Sequence, residues 1–304
     1  MKIIVSGASG LVGTALTQSL RAQGHTVLHL VRKPARAPKE VSSAEIHWDP
    51  LSAQVDVPAL EGADAVVHLS GANISEGRWT PARKDVLRSS RIDSTRVLVD
   101  SLARLRQKPQ VLVSASAVGY YGNRGDEMLV ESAHPGSDFL SLLARDWEAE
   151  AMRAAQSGIR TVILRFGVIL SAQGGALPEM IRPFKFGAGG RLGSRRQWMS
   201  WVALEDAIGI IQSSIANPEW NGPINAVAPE PVQNAEFAEM VGRILHRPAR
   251  LSAPAFLLRL ALGEMADALL LSSQRAIPER LLQSGYSFRF ADLEAALRTM
   301  LRAN

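Results

Sequence analysis

The segment KIIVSGASGLVGTAL, residues 2–16, narrows the fold of this chain more than any other stretch. An apolar run is followed at once by Gly7, Gly10 and Gly13 and then by a helical pattern, giving Gly-x-x-Gly-x-x-Gly at a strand-to-helix junction. Each glycine has a physical task in a dinucleotide-binding turn. Gly7 permits the sharp reversal, Gly10 lets a diphosphate approach the backbone, and Gly13 lets the helix lie close on the sheet. The amides of Leu11, Val12 and Gly13 then open the helix as anion donors, reinforced by its dipole. A tight turn of structural meaning alone is the competing reading of the same glycines.

The same alternation continues along the chain. HTVLHLVR, ADAVVHLSG, QVLVSASAVG and RTVILRFGVIL read as strands too apolar to be half exposed, and helical patterns such as RKDVLRSSRIDSTRVLVDSLARL and SLLARDWEAEAMRAA separate them. Strands buried on both faces and joined by helices predict an α/β fold: a doubly wound parallel sheet of the Rossmann kind, with about seven strands. After Leu170 the rhythm loosens into GAGGRLGSRRQWMSW and then into mainly helical segments. The expected division is a dinucleotide-binding domain over residues 1–170 and a smaller, mainly helical lobe over 171–304. That lobe roofs the carboxyl ends of the strands, with room inside it for the chain to return to the sheet.

Composition closes off other classes. The 304 residues include no cysteine, which excludes disulfides, cysteine-ligated zinc and thiol nucleophiles, and no metal site is expected. No apolar run is long enough to span a bilayer, and the first strand begins at Lys2 with no room for a leader. A cytoplasmic protein without a membrane partner is therefore expected. The formal net charge of +5 comes from basic residues scattered among acids, apart from a group at Arg191, Arg195 and Arg196. Charge spread in this way reads as a solvated surface, so no nucleic-acid partner is expected. The oligomeric state is left open.

The end of the second strand decides between dinucleotides. An acid there binds the ribose hydroxyls of NAD, whereas an Arg favours the 2′-phosphate of NADP. HLVRKPAR offers Arg32 and Lys33 and no acid, which points to NADP with Arg32 as main ligand, Lys33 in support and Ser9 as a hydroxyl donor. A solvated Arg-Lys pair before a Pro-rich loop is the alternative.

GASGLVGTAL, HLSGANI, SRIDSTRVLVDSL, SASAVGYYG, DFLSLLARDWEAEA and LRFGVIL follow one another in the order and spacing of extended short-chain dehydrogenases/reductases. More closely, the chain resembles the atypical epimerase-like family labelled nucleoside-diphosphate-sugar epimerase or cell-division inhibitor. Its last fifty-odd residues resemble that family's small C-terminal domain of unknown function. The resemblance implies that the backbone of Leu69, Ser70 and Gly71 borders the adenosine half of the cofactor and that Arg91 stands near its phosphates. It also implies that Ser114 adds a contact, and that Gly167 and Val168 pass the nicotinamide. On the bare sequence, Arg91 is equally an ordinary helix-surface cation.

In extended short-chain dehydrogenases a Ser or Thr holds the substrate oxygen, a Tyr transfers the proton, and a Lys lowers the Tyr pKa. Ser116 fills the first position by alignment, but the positions aligned to the Tyr-Lys pair hold Phe139 and Leu143, neither of which can carry a proton. Tyr120 and Tyr121, just past Ser116, are the candidate replacements, with pocket wall as their other role. The expected function is an NADP-dependent oxidoreductase or epimerase-like activity on an unidentified small-molecule substrate, with a non-standard proton donor. The alternative is a non-catalytic NADP-binding sensor or regulatory protein.

Overall fold

Alternate residues of the apolar runs turn to opposite faces of one sheet. Ile3, Val5, Val113 and Leu164 join one buried cluster, and Ile4, Leu30, Ile46 and Leu112 join another. The computed structural model describes residues 1–32, 44–249 and 251–302. Its first part runs β1 (Lys2–Ser6), α1 (Leu11–Ala22), β2 (Thr26–Arg32), β3 (Glu45–Asp49), β4 (Gln54–Val55), β5 (Ala65–His68), α2 (Pro81–Arg88) and α3 (Ser94–Ala103). It continues with β6 (Val111–Ala117), α4 (Phe139–Met152) and β7 (Arg160–Phe166). The second part includes β8 (Val168–Leu170), β9 (Trp201–Ala203), α5 (Leu204–Ala216), β10 (Gly222–Ala226), α6 (Asn234–Ile244), α7 (Ala255–Leu262) and α8 (Leu293–Arg302).

The large sheet has the order β10-β7-β6-β5-β1-β2-β3-β4, and every pair is parallel except β3 with β4. The α1 and α5 helices cover one face, where Leu16, Leu20, Ile208 and Ile211 meet the strands, and α3 covers the other through Leu98 and Leu102. Past residue 170, α5 and β10 return to the large sheet, with β10 alongside β7. RTVILRFGVIL also forms two strands in place of the one run. A Cβ on Gly167 would stand 2.6 Å from the Ser200 carbonyl oxygen, so the two backbones touch there, and β8 leaves the sheet to pair with β9. Beyond this point Leu170, Trp201, Phe237 and Leu297 build a separate core with α6 and α8. No helix among the described residues is long and apolar enough to cross a membrane.

Parallel register gathers the polar strand ends. Ser6, His68 and Ser114 are neighbours on β1, β5 and β6, while Ser116, Arg165 and Asn225 are neighbours on β6, β7 and β10. The first row anchors a buried chain of hydrogen bonds. Leu69 N–H donates to Ser6 Oγ (3.2 Å), which lies 2.6 Å from His68 Nδ1, and His68 Nε2 lies 3.0 Å from Thr95 Oγ1. Thr95 donates to the Arg91 carbonyl at 2.6 Å, so the network assigns the proton of His68 to Nε2. The helix expected through RKDVLRSSRIDSTRVLVDSLARL is consequently interrupted by a π turn over Ser89–Asp93, where Ser94 and Thr95 back-bond to the carbonyls of Ser90 and Arg91.

Complete burial lowers the His68 pKa from 6.5 to about 4, and its neighbours Ser6, Thr95 and Trp48 carry no charge. Because the folded value lies below the unfolded one, the stabilisation is full above pH 6.5. It is lost as the pH falls to about 4, a loss of about 3 kcal/mol. Glu131 and Asp206, whose pKa values burial raises, pull the other way. Urea unfolding of wild type and His68→Gln at pH 7 and pH 4.5 should therefore show a shallower acid loss in the variant, and parallel curves would contradict the assignment.

The glycine turn yields a second expectation. A Cβ on Gly13 would overlap the Gly7 carbonyl oxygen and come within 2.7 Å of Ala8 Cα, whereas a Cβ on Gly10 meets only the Gly7 oxygen at 3.4 Å. Overpacking of this kind costs roughly 1–3 kcal/mol, so Gly13→Ala should lose that much unfolding free energy while Gly10→Ala loses little.

Candidate cofactor and substrate site

A cavity of about 360 Å³ opens at the carboxyl ends of β1, β5, β6 and β7. One end is the glycine turn, where Gly7, Gly10, Leu11, Val12 and Gly13 line the wall. Gly7 takes a φ of 68°, and a Cβ there would lie 2.7 Å from the Leu69 carbonyl oxygen, so only glycine allows the turn to rest on β5. Gly10 caps α1 in extended conformation (φ −78°, ψ 170°), with no side chain accepting from the helix amides and no acid in its first turn. First-turn amides lack an acceptor within their own helix, so this end is an anion-binding position with space left above Gly10.

Arg91 is the one charged residue lining this cavity among those described. Its Nη2 donates to the Ala72 carbonyl at 3.1 Å and its Nη1 to the Leu87 carbonyl at 3.3 Å, and the guanidinium lies 5.3 Å from the Trp147 ring centroid. Trp147 is itself fixed, donating from Nε1 to Thr95 at 2.9 Å. Burial, with Arg83 nearby, lowers the Arg91 pKa to about 10, which leaves it charged at neutral pH but poorly solvated. A cation held this way by carbonyls and a ring, beside free helix amides, has the chemistry to take a phosphate, so these residues fit a dinucleotide. A side chain at position 71 would crowd this arginine, since a Cβ on Gly71 would lie 3.1 Å from Arg91 Cζ.

The other end carries Ser116, whose hydroxyl donates to Glu148 Oε1 at 2.6 Å. Arg165 closes on the same carboxylate as a fork, Nε to Oε1 at 2.9 Å and Nη2 to Oε2 at 2.8 Å. Its Nη1 donates to Tyr121 Oη and to the Glu131 carbonyl, both at 3.0 Å, and its guanidinium lies 3.6 Å from the Tyr120 ring centroid. Burial works against the Arg165 charge, but the Glu148 carboxylate and the Tyr121 hydroxyl outweigh it and raise its pKa. Tyr121 in turn donates to Asn225 Oδ1 at 2.7 Å.

These contacts decide where the expected residues stand. Tyr121 is fully buried, its hydroxyl is committed to Asn225, and burial raises its pKa to about 12, so it has no access to a ligand in the cavity. Tyr120 packs edge-on against Tyr121 with Arg165 over its ring, and it does not line the cavity. Phe139 turns to Trp79 at 5.4 Å between ring centroids and also stands outside the lining, whereas Leu143 lies within it. The face that α4 gives to the cavity is Leu140, Leu143, Ala144 and Trp147, which contains neither a Tyr nor a Lys. Leu69, Arg91 and Ser116 line the cavity with the glycine turn. Ser9, Ser70, Gly71, Ser114, Gly167 and Val168 do not, and Ser114 is buried in the sheet. Arg32 is exposed at the end of β2, and Lys33 lies outside the described residues. Glu148, Arg165, His68 and Thr95 carry the site's polar framework. Of these, only His68 and Arg165, polar residues at the ends of apolar strands in HLSG and LRF, were signalled by the sequence.

Comparison with known proteins places the fold. The chain is 47% identical over 295 residues to an epimerase family protein of Mycobacterium bovis, covering 97% of this chain and 96% of that one. The crystal structure of human epimerase family protein SDR39U1 with NADPH matches at a TM-score of 0.90 and 33% identity, covering 100% of both chains. A nucleoside-diphosphate sugar epimerase from Corynebacterium glutamicum matches at a TM-score of 0.81 and 35% identity, over 99% of this chain and 58% of that one. A model of a domain of unknown function, DUF1731, matches residues 253–300. The model of the NAD dependent epimerase/dehydratase family matches residues 3–226, from within β1 to the last residue of β10. With its large sheet and the cavity at the strand ends inside that match, the chain belongs to the NAD dependent epimerase/dehydratase family.

Proposed function

We propose that the protein is an NADP-dependent oxidoreductase or epimerase-like enzyme that acts on a small molecule at the carboxyl ends of β6 and β7. The observation that carries this reading is that one cavity joins the glycine turn and Arg91 to a polar group, Ser116, otherwise enclosed by apolar side chains. The amides of Leu11, Val12 and Gly13 together with Arg91 hold the diphosphate, and Arg32 with Lys33 and Ser9 takes the 2′-phosphate. Leu69 borders the same end of the cavity. The human relative that was crystallised with NADPH supports the choice of NADP. When bound, the cofactor supplies hydride exchange, and the protein orients the substrate through Ser116. The apolar side chains of Leu140, Leu143 and Trp147 exclude water from the reacting end.

A sensor without turnover is the second reading, and one observation favours it: the cavity face of α4 offers no group able to move a proton. Both readings require NADP selectivity. One lost charge-assisted contact is worth about 1.5–3 kcal/mol, so Arg32→Ala should weaken NADPH binding roughly tenfold to a hundredfold and leave NADH binding nearly unchanged. Calorimetric titration of both cofactors measures this, and equal wild-type affinities for NADPH and NADH would end the NADP assignment. Stopped-flow absorbance of NADPH, lost with carbonyl compounds or gained from NADP⁺ with alcohols, together with NMR of sugars for epimerised product, then separates enzyme from sensor.

A further inference from the structure

We infer that Ser116 meets its ligand as a hydrogen-bond acceptor, that the reacting end of the cavity selects an alcohol over the corresponding carbonyl compound, and that Glu148 is the positioning residue that sets this polarity. The inference deepens the proposed function and rests on its reading of the cavity as a ligand site.

A serine hydroxyl has one proton and two acceptor lone pairs. In Ser116 that proton points away from the cavity, to Glu148 Oε1 at 2.6 Å, a distance typical of a charge-assisted bond. Glu148 cannot turn aside, because Arg165 engages both its oxygens and is itself held by Tyr121, the Glu131 carbonyl and the Tyr120 ring. Ser116 and Glu148 are both buried, at 4% and 8% exposure, so water does not compete for the bond. Only the lone pairs of Ser116 remain for a ligand. A carbonyl oxygen needs a donor, and the neighbouring side chains supply none: Leu140, Leu143 and Ala144 are apolar, and the Trp147 indole N–H is already given to Thr95. An alcohol on an apolar body satisfies both Ser116 and the walls. A ketone leaves its oxygen facing the serine oxygen, or else breaks the bond to Glu148.

The test titrates cyclohexanol and cyclohexanone into the full chain by ligand-observed NMR, with NADPH titrated separately into the same preparations. The alcohol should bind roughly tenfold more tightly than the ketone, the worth of one hydrogen bond to the serine oxygen. Ser116→Ala, which leaves the Glu148–Arg165 pair intact, should bring the two within about twofold. Glu148→Leu should abolish the preference, because with the carboxylate gone the Ser116 hydroxyl proton is free to turn toward the cavity and donate to the ketone. A change confined to packing would weaken both probes alike. If Glu148→Leu does not fold, the Ser116→Ala comparison decides alone. Wild-type binding of the ketone as tight as the alcohol, or an alcohol preference that survives Ser116→Ala, overturns the inference. Failure of NADPH to bind while the alcohol preference holds overturns the cofactor reading and leaves this one standing.

Discussion

The ion pair between Arg165 and Glu148 organises this molecule from the inside. Two charges buried this deeply cost several kcal/mol each in lost hydration, and the cost is offset only where the geometry is good and the remaining donors are satisfied. Both conditions hold. The fork is two-pronged, and Arg165 also reaches the Tyr121 hydroxyl and the Glu131 carbonyl. Tyr121 then binds Asn225, whose backbone N–H donates to the Glu131 side chain at 3.1 Å. One pair thereby ties β7 to α4, to the segment after β6, and to β10, which arrives only after the long excursion through β8 and β9. The same pair fixes the direction in which Ser116 gives its proton.

A second buried chain, from Ser6 through His68 and Thr95 to Trp147, does for the phosphate end what the ion pair does for the reacting end. The two meet on α4 at consecutive residues, Trp147 and Glu148. The π turn that breaks the α2–α3 helix follows from this chain, since Thr95 hydrogen-bonds the Arg91 carbonyl and Trp147 lies beneath the Arg91 guanidinium. The cation at the cavity is thus positioned by neutral groups, and its charge stays available to a ligand.

Much of the fold was legible in the chain itself. Gly7, Gly10 and Gly13 announce a turn whose backbone contacts exclude a side chain at positions 7 and 13, and runs such as KIIVS and QVLVSAS are too apolar for a one-sided sheet. What escaped is mostly long-range. Nothing near Ser116 in sequence reveals that its proton goes to a carboxylate thirty-two residues on. Nor does the aromatic pair Tyr120 and Tyr121 disclose that Arg165 claims both rings. The phase of α4 was also out of reach: alignment pointed to Phe139 and Leu143, but Phe139 packs toward Trp79, and the helix gives Leu140, Leu143, Ala144 and Trp147 to the cavity.

The central claim is that the glycine turn, with Arg91 beside it, is a dinucleotide diphosphate site. The most direct measurement is calorimetric titration of NADPH into wild type and into Gly10→Val. Position 10 has a negative φ and no protein atom closer than 3.4 Å to an added Cβ, so the variant folds while its side chain fills the space the diphosphate needs. The account predicts that the wild type binds and that the folded variant loses at least about a hundredfold in affinity, a cost of roughly 2.7 kcal/mol or more. Undiminished NADPH binding by folded Gly10→Val would contradict it.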